Sequence, residues 1–151
     1  MPPAAPLDAI EVDRELVERL RLAVGRLARR LRQQSEGEIT ASQFSALASI
    51  NRFGPITLGK LASLERLRPP TVTRIAATLE EAGLVVRHLD PDDRRVVRVE
   101  VTALGRDLLE RIRTRKDAYL AARLTALPPE QLAVLRDATA VLERLLEEDR
   151  S

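Results

Sequence analysis

The chain has 151 residues, 44% hydrophobic and 32% charged, with one histidine and no cysteine; that suits one small domain, with or without an oligomerisation arm, and argues against wholesale disorder. Without cysteine there is no disulfide framework, thiol nucleophile, thiol redox sensor or cysteine-ligated zinc, and the lone His88 excludes histidine-rich metal sites. The formal charge is only +2 while the pI is near 9.6, because lysine occurs only at Lys60 and Lys116 and the other basic residues are all arginine.

Aromatics make up 2% of the chain, so a core must be built from Leu, Val, Ile and Ala, which suits helices better than a β-sandwich. Residues 1–8 hold three prolines and no periodicity and read as a flexible arm. From Val12 to Gln34, Leu16, Leu20, Val24, Leu27 and Leu31 recur at helical steps, with Gly25 weakening the pattern. Arg26, Arg29, Arg30 and Arg32 fall near the C-terminal end, where the helix dipole favours cations. Residues 35–38 break that helix. Thr40 and Gln43 form a capping-box pattern for a second, with Phe44, Leu47, Ala48 and Ile50 as its apolar stripe and Gly54-Pro55 as its stop. Thr57 caps a short third helix to about Leu64, with Leu61 and Ala62 facing inward. Pro70 suits the first turn of a fourth helix, about 70–82, which ends at Gly83 as a left-handed cap.

After Gly83 the period changes. Residues 84–89 are rich in β-branched side chains, Asp90-Pro91-Asp92-Asp93-Arg94 is turn composition, and Val97, Val99 and Val101 alternate with Arg98 and Glu100. These features predict an antiparallel hairpin. Thr102 then caps a fifth helix to about Ala126, and Pro128-Pro129-Glu130 opens a sixth. In that last helix Leu132, Leu135, Thr139, Leu142 and Leu146 form a near-heptad seam. No apolar run approaches the ~20 residues that cross a bilayer, and no basic segment followed by an apolar one opens the chain. A cytoplasmic protein without a membrane partner is expected.

Helix, helix, helix, then hairpin over residues 38–101 is a winged helix-turn-helix layout. The fold expected is mainly α with a small β-hairpin wing at about 84–101. Residues 9–36 and 102–151 form long flanking helices. Their leucines, among them Leu16, Leu20, Leu124, Leu132, Leu135, Leu142 and Leu146, want a partner. A homodimer joined through these terminal helices is the economical reading, and a monomeric bundle is the other.

Several segments resemble the MarR family (multiple antibiotic resistance regulators). They are Leu61-Ala62, Pro70-Thr71-Val72-Thr73-Arg74, Leu79 to Val85, Asp90-Pro91-Asp92-Asp93-Arg94-Arg95, and Val101-Thr102-Ala103-Leu104-Gly105. Each is weak alone; their order and spacing over residues 10–149 are specific. The resemblance implies a dimeric winged-helix regulator of transcription, most often a repressor, that binds double-stranded DNA. For many members it implies release by a small aromatic or phenolic effector.

The DNA-reading residues are expected on helix 70–82. Val72, Ile75, Ala76 and Leu79 share an apolar face, which turns Thr71, Thr73, Arg74, Ala77 and Thr78 outward. A recognition helix enters the major groove by its N-terminal end. Thr71 and Thr73 can reach phosphate or a thymine methyl, and Arg74 can span guanine O6 and N7. Thr71 as a mere helix cap, and Arg74 as a solvated surface group, are the plainer readings. Pro70 belongs to the matched segment, Arg68 is a candidate phosphate contact, and Thr78 lies on the same face. The turn at Glu65-Arg66-Leu67 lacks the glycine common in helix-turn-helix units. In the wing, the resemblance makes an acidic residue brace the turn while Arg94 reaches the minor groove, with Arg95 beside it. The alternative pairs Asp92 and Asp93 with Arg94 and Arg95 on the surface.

Phe44, Phe53 and Tyr119 are the candidates to line the family's ligand pocket, and core filler is the competing reading. No catalytic residue, metal ligand or cofactor is expected. There is no glycine-rich phosphate loop, and a serine–histidine–aspartate site would have to use His88 in a wing strand. An enzyme, a non-DNA helical interaction module and a winged helix of PadR-like or ArsR-like type are the rival readings. The arginine excess fits nucleic-acid recognition and fits codon usage in a GC-rich genome equally.

Overall fold

The computed structural model describes residues 13–35 and 37–148. The expected arm at 1–8, and the start of the helix expected from residue 9, lie outside the described residues. Those described form α1 (Arg14–Gln33), α2 (Ala41–Phe53), β1 (Ile56–Thr57), α3 (Leu58–Glu65), α4 (Pro69–Glu81), β2 (Val85–Leu89), β3 (Val97–Val101), α5 (Ala103–Leu124) and α6 (Pro129–Glu148). They fall into two units that divide between Leu109 and Glu110.

The first unit holds the winged helix. Its helices start where side chains satisfy the free N–H groups of the first turn. Asp13 Oδ1 accepts the Glu15 N–H at 2.9 Å, and Thr57 Oγ1 accepts the Lys60 N–H at 3.1 Å. Thr40 and Gln43 complete the capping box in both directions. α4 starts one residue earlier than its sequence suggests, because Pro69 and Pro70 both fit the first turn, where a missing N–H costs nothing. Gly83, at φ 72°, ends it. The turn is closed by Gly83 N–H donating to Glu80 O and Leu84 N–H donating to Leu79 O, both at 2.9 Å.

Leu47 and Ile50 of α2, Leu61 of α3, Val72 and Leu79 of α4 and Val99 of β3 are fully buried and make the core of this unit. Burying each contributes about 1.5–3 kcal/mol. The four positions expected on the inner face of α4 are the four that are buried. The wing is a three-stranded antiparallel sheet of order β1-β3-β2, not a lone hairpin. Ile56 pairs with Val99, and Val85 with Val101. β1 has two residues, too few to show an alternating pattern. Val99 and Val101 are buried as expected, but Val97, next to the turn, is exposed.

Arg66 succeeds α3 at φ 53°, in the left-handed region. The turn therefore takes the geometry a glycine would give it, with an arginine in place. An L-residue there costs roughly 1–2 kcal/mol, part of which glycine returns as chain entropy in the unfolded state. Arg66→Gly should stabilise the chain by up to about 1 kcal/mol and raise Tm by about 2–4 °C. A lower melting temperature would show that the Arg66 side chain contributes more than its backbone costs.

In the second unit, α6 carries exposed apolar residues on two stripes. One contains Leu135 and Leu146; the other contains Val134, Val141 and Leu145, which the seam read from sequence omits. Leu127, Val134, Leu135 and Ala138 line a largely apolar cavity of about 410 Å³ with Glu130 and Gln131.

Candidate nucleic-acid interface

α4 presents two opposite faces. At 100° per residue, Val72, Ile75, Ala76 and Leu79 point into the core, and Pro70, Arg74 and Ala77 point the other way with Thr73 and Thr78 beside them. Pro70, Thr73, Arg74 and Thr78 are exposed; Thr71 and Ala77 are half-buried. Thr73 donates its hydroxyl to Pro69 O at 3.0 Å, and Thr78 donates to Arg74 O at 3.1 Å. These back-bonds leave each hydroxyl its lone pairs and each threonine its methyl group. Thr71 is not the cap of α4: Arg68 holds that position, exposed and without a side-chain capping bond. Among the described residues the Arg74 guanidinium has no hydrogen-bond or ion-pair partner. An exposed, unpaired guanidinium centred on a ridge one helix wide suits the edge of a guanine in a major groove.

In the wing, Asp90 is the organising residue and is buried. Its Oδ1 accepts the N–H groups of Asp92 at 2.8 Å and Asp93 at 3.1 Å, and its Oδ2 accepts from the Arg98 guanidinium. The Asp90 N–H donates to Val96 O at 2.8 Å, which closes the turn. Asp93 takes Arg95 in a two-pronged contact, Nε to Oδ1 at 3.0 Å and Nη2 to Oδ2 at 3.1 Å. The wing's acidity thus resolves into internal bracing. Asp90 is matched by Arg98 and Asp93 by Arg95, while Arg94 is exposed and unpaired among the described residues. The alternative of two surface pairs therefore holds for Arg95 and fails for Arg94.

The Arg98 contact and the two backbone N–H groups hold the Asp90 carboxyl below its ordinary value of 3.8. Arg95 does the same to Asp93. A carboxyl depressed by folding stabilises the native state above its unfolded pKa and loses that contribution as pH falls through the folded value. As far as Asp90 is concerned, the wing's stability should be constant from neutrality down to the ordinary carboxylate range and fall below it. In an NMR titration the Asp92 and Asp93 amide resonances should move together, with a midpoint below 3.8. A midpoint at or above that value would mean that the Arg98 contact does not hold in solution.

Two of the expected ligand-lining aromatics diverge within the first unit. Phe44 and Phe53 are nine residues apart on α2, about 13 Å along the axis and half a turn round it, so they face opposite ways. Phe53 is exposed with Arg52 over its ring at 5.1 Å. Tyr119 lies in the other unit, and its ring face is covered by the Arg123 guanidinium at 3.4 Å. Of the leucines assigned to a dimer interface, Leu16, Leu20, Leu135 and Leu146 are exposed, and Leu124, Leu132 and Leu142 are half-buried. No residue of α1 is buried. Among the described residues no group of three or more His, Asp or Glu is placed to hold a metal ion, and no helix is long and apolar enough to cross a membrane.

One residue of this lobe escapes a reading by sequence pattern. Glu65, at the end of α3, accepts hydroxyls from Ser45 and Ser49 of α2. Its partners are 20 and 16 positions away, beyond the reach of any local signal.

Comparison with known proteins points one way. The MarR family model matches residues 39–97, which span α2 to the start of β3. An HTH-type transcriptional regulator of Mycobacterium leprae is 37% identical over 140 residues, covering 92% of this chain and 98% of its own. The crystal structure of a transcriptional regulator protein from Pseudomonas aeruginosa superposes with a TM-score of 0.81 at 33% identity, over 91% of this chain and 99% of the other. A variant of MepR from S. aureus, bound to an oligodeoxyribonucleotide, shares the fold with a TM-score of 0.67 at 21% identity, over 91% of this chain and 99% of the other.

Proposed function

The chain belongs to the MarR family of winged helix-turn-helix transcriptional regulators, and from that premise we propose that it is a homodimeric repressor that binds an inverted-repeat operator. As a transcriptional regulator it is not an enzyme. The observation that carries the proposal is the exposed face of α4, where Arg74, unpaired among the described residues, stands opposite a buried apolar face. In this reading α4 lies in the major groove. Arg74 reads a guanine, Thr71, Thr73 and Thr78 contact phosphates or a thymine methyl, and Arg68 and Pro70 approach the backbone at the helix entrance. Arg94, left free by the internal pairing of the wing, enters the adjacent minor groove, where a narrow A·T-rich segment attracts arginine. Arg95, held by Asp93, stiffens the wing in preference to reading DNA.

A dimer is supported by the exposed leucines of α1 and α6, which a solitary chain would leave in water. A dimer sets two α4 helices about one turn of DNA apart, so the operator should be an inverted repeat with half-sites roughly 10 base pairs apart. Occupying such a site excludes other proteins from it, and repression needs no further contact. A small aromatic or phenolic effector that relieves repression would meet Phe44 or Phe53 but not both, since they face opposite ways on α2. Tyr119, in the other unit, has Arg123 over its ring at 3.4 Å. The absence of a spanning helix among the described residues suits a cytoplasmic regulator.

The test is selection from a pool of random duplexes at two salt concentrations, with sequencing of the retained DNA. An inverted repeat bound with a steep salt dependence is the expected result. Retention of no motif, or no binding at low salt, would overturn the proposal in favour of a helical interaction module.

A further inference from the structure

Glu65 is the last residue of α3. Ser45 donates its hydroxyl to Glu65 Oε2 at 2.6 Å, and Ser49 donates to Oε1. The two serines lie one turn apart on α2, so each takes one oxygen of the carboxylate. Nothing local favours an acid here. The C-terminal end of a helix repels negative charge, and a carboxylate in a DNA-binding lobe works against phosphate attraction. The next three residues supply the reason. Arg66 takes the left-handed conformation without being glycine. Its N–H and that of Leu67 turn back onto the carbonyls of Ser63 and Ala62. Arg68 then opens α4. Only residues 66–68 separate the carboxylate from the recognition helix.

A glycine would find this turn readily. An arginine has lower-lying right-handed and extended conformations. The first would prolong α3 and the second would swing α4 away. A strained residue persists where its surroundings over-determine it, and the residue before Arg66, Glu65, is tied through its side chain to α2. We propose that Ser45, Ser49 and Glu65 form a clamp that positions the recognition helix. By seating the end of α3 on α2, the clamp holds the glycine-free turn and sets the pitch at which α4 presents Arg74. Glu65 is thus a positioning residue for specific DNA recognition, and this inference rests on the DNA-reading function proposed above.

Charge and clamp predict opposite signs. By charge alone, removing the carboxylate strengthens binding to every duplex. By the clamp, Glu65→Ala weakens operator binding about tenfold and leaves binding to non-operator DNA unchanged or slightly tighter, so the specificity ratio falls. The measurement uses the full chain, titrated against the selected operator and a scrambled duplex at one salt concentration, well below the melting temperature of each variant. Ser45→Ala with Ser49→Ala should reproduce the loss, and adding Glu65→Ala should deepen it little. Glu65→Gln, whose amide oxygen still accepts a serine hydroxyl, should recover most of the affinity. Where Glu65→Ala does not fold, Ser45→Ala alone, which removes one exposed hydroxyl, should still cost several-fold in operator affinity. Operator binding by a folded clamp variant that equals or exceeds the unaltered chain would overturn the clamp alone. An unaltered chain that selects no operator would overturn the DNA reading and the clamp with it.

Discussion

Gly105→Ala should destabilise the chain by about 3 kcal/mol and lower its melting temperature by roughly 10 °C. Gly105 is buried in the first turn of α5. A Cβ there would meet the Leu84 carbonyl oxygen head-on and lie 2.8 Å from Val101 Cγ2. The oxygen cannot move aside, because it is built into the junction. It accepts the Thr102 N–H at 3.0 Å. The Thr102 hydroxyl meanwhile donates to Gly83 O at 2.6 Å and accepts the Gly105 N–H at 3.1 Å. The end of α4, the start of β2 and the cap of α5 are therefore closed over one missing methyl group. Gly25→Ala is the control. It is the same substitution inside a helix, but a Cβ there meets nothing within 4 Å, so the higher helix propensity of alanine should prevail by about 0.5–1 kcal/mol. Opposite signs in the two melting curves would establish that close approach, not helix propensity, requires glycine at 105. A Gly105→Ala variant as stable as the parent would mean that α5 shifts to make room.

The features legible in the sequence are those that repeat with a short period. The inner face of α4 is four apolar residues at helical spacing, and all four are buried. The Thr40–Gln43 box, the Thr57 cap and the Gly83 stop are local chemistry within three or four residues, and each occurs where it is expected. The divergence of Phe44 and Phe53 was also legible, since nine residues at 100° put them half a turn apart. Other features depend on partners that no pattern names. β1 exists because β3 lies beside it. Asp93 chose Arg95 over Arg94 through the curl of one turn, and that choice decides which arginine is left unpaired among the described residues. Arg66 takes a conformation its residue type disfavours, and Glu65 finds its partners on another helix. The site is thus readable as a face, whereas its bracing is tertiary and leaves no periodic trace.

That distinction bears on Arg74, the residue on which the functional reading depends most. Arg74→Ala should cost about 1–3 kcal/mol at each half-site. In the proposed dimer two copies act on one operator, so the loss per dimer should be about 2–6 kcal/mol, on the order of 30- to 10⁴-fold in affinity. The fold should be unaffected, because the side chain is exposed and bound to nothing among the described residues. The size of the loss alone would not separate base reading from phosphate attraction, and Arg74→Lys does. Lysine keeps the charge but lacks the planar fork that meets guanine O6 and N7 together. If Arg74 reads a base, the lysine variant should bind scrambled DNA as the parent does, bind the operator nearly as weakly as the alanine variant, and tolerate change at one base of each half-site. If Arg74 only neutralises a phosphate, lysine should restore operator binding, and alanine should weaken operator and scrambled duplex alike while lowering the salt slope by about one for each phosphate left without its arginine. The second pattern would move sequence reading away from Arg74 to the threonines of α4 and to Arg94, and leave Arg74 as an anchor.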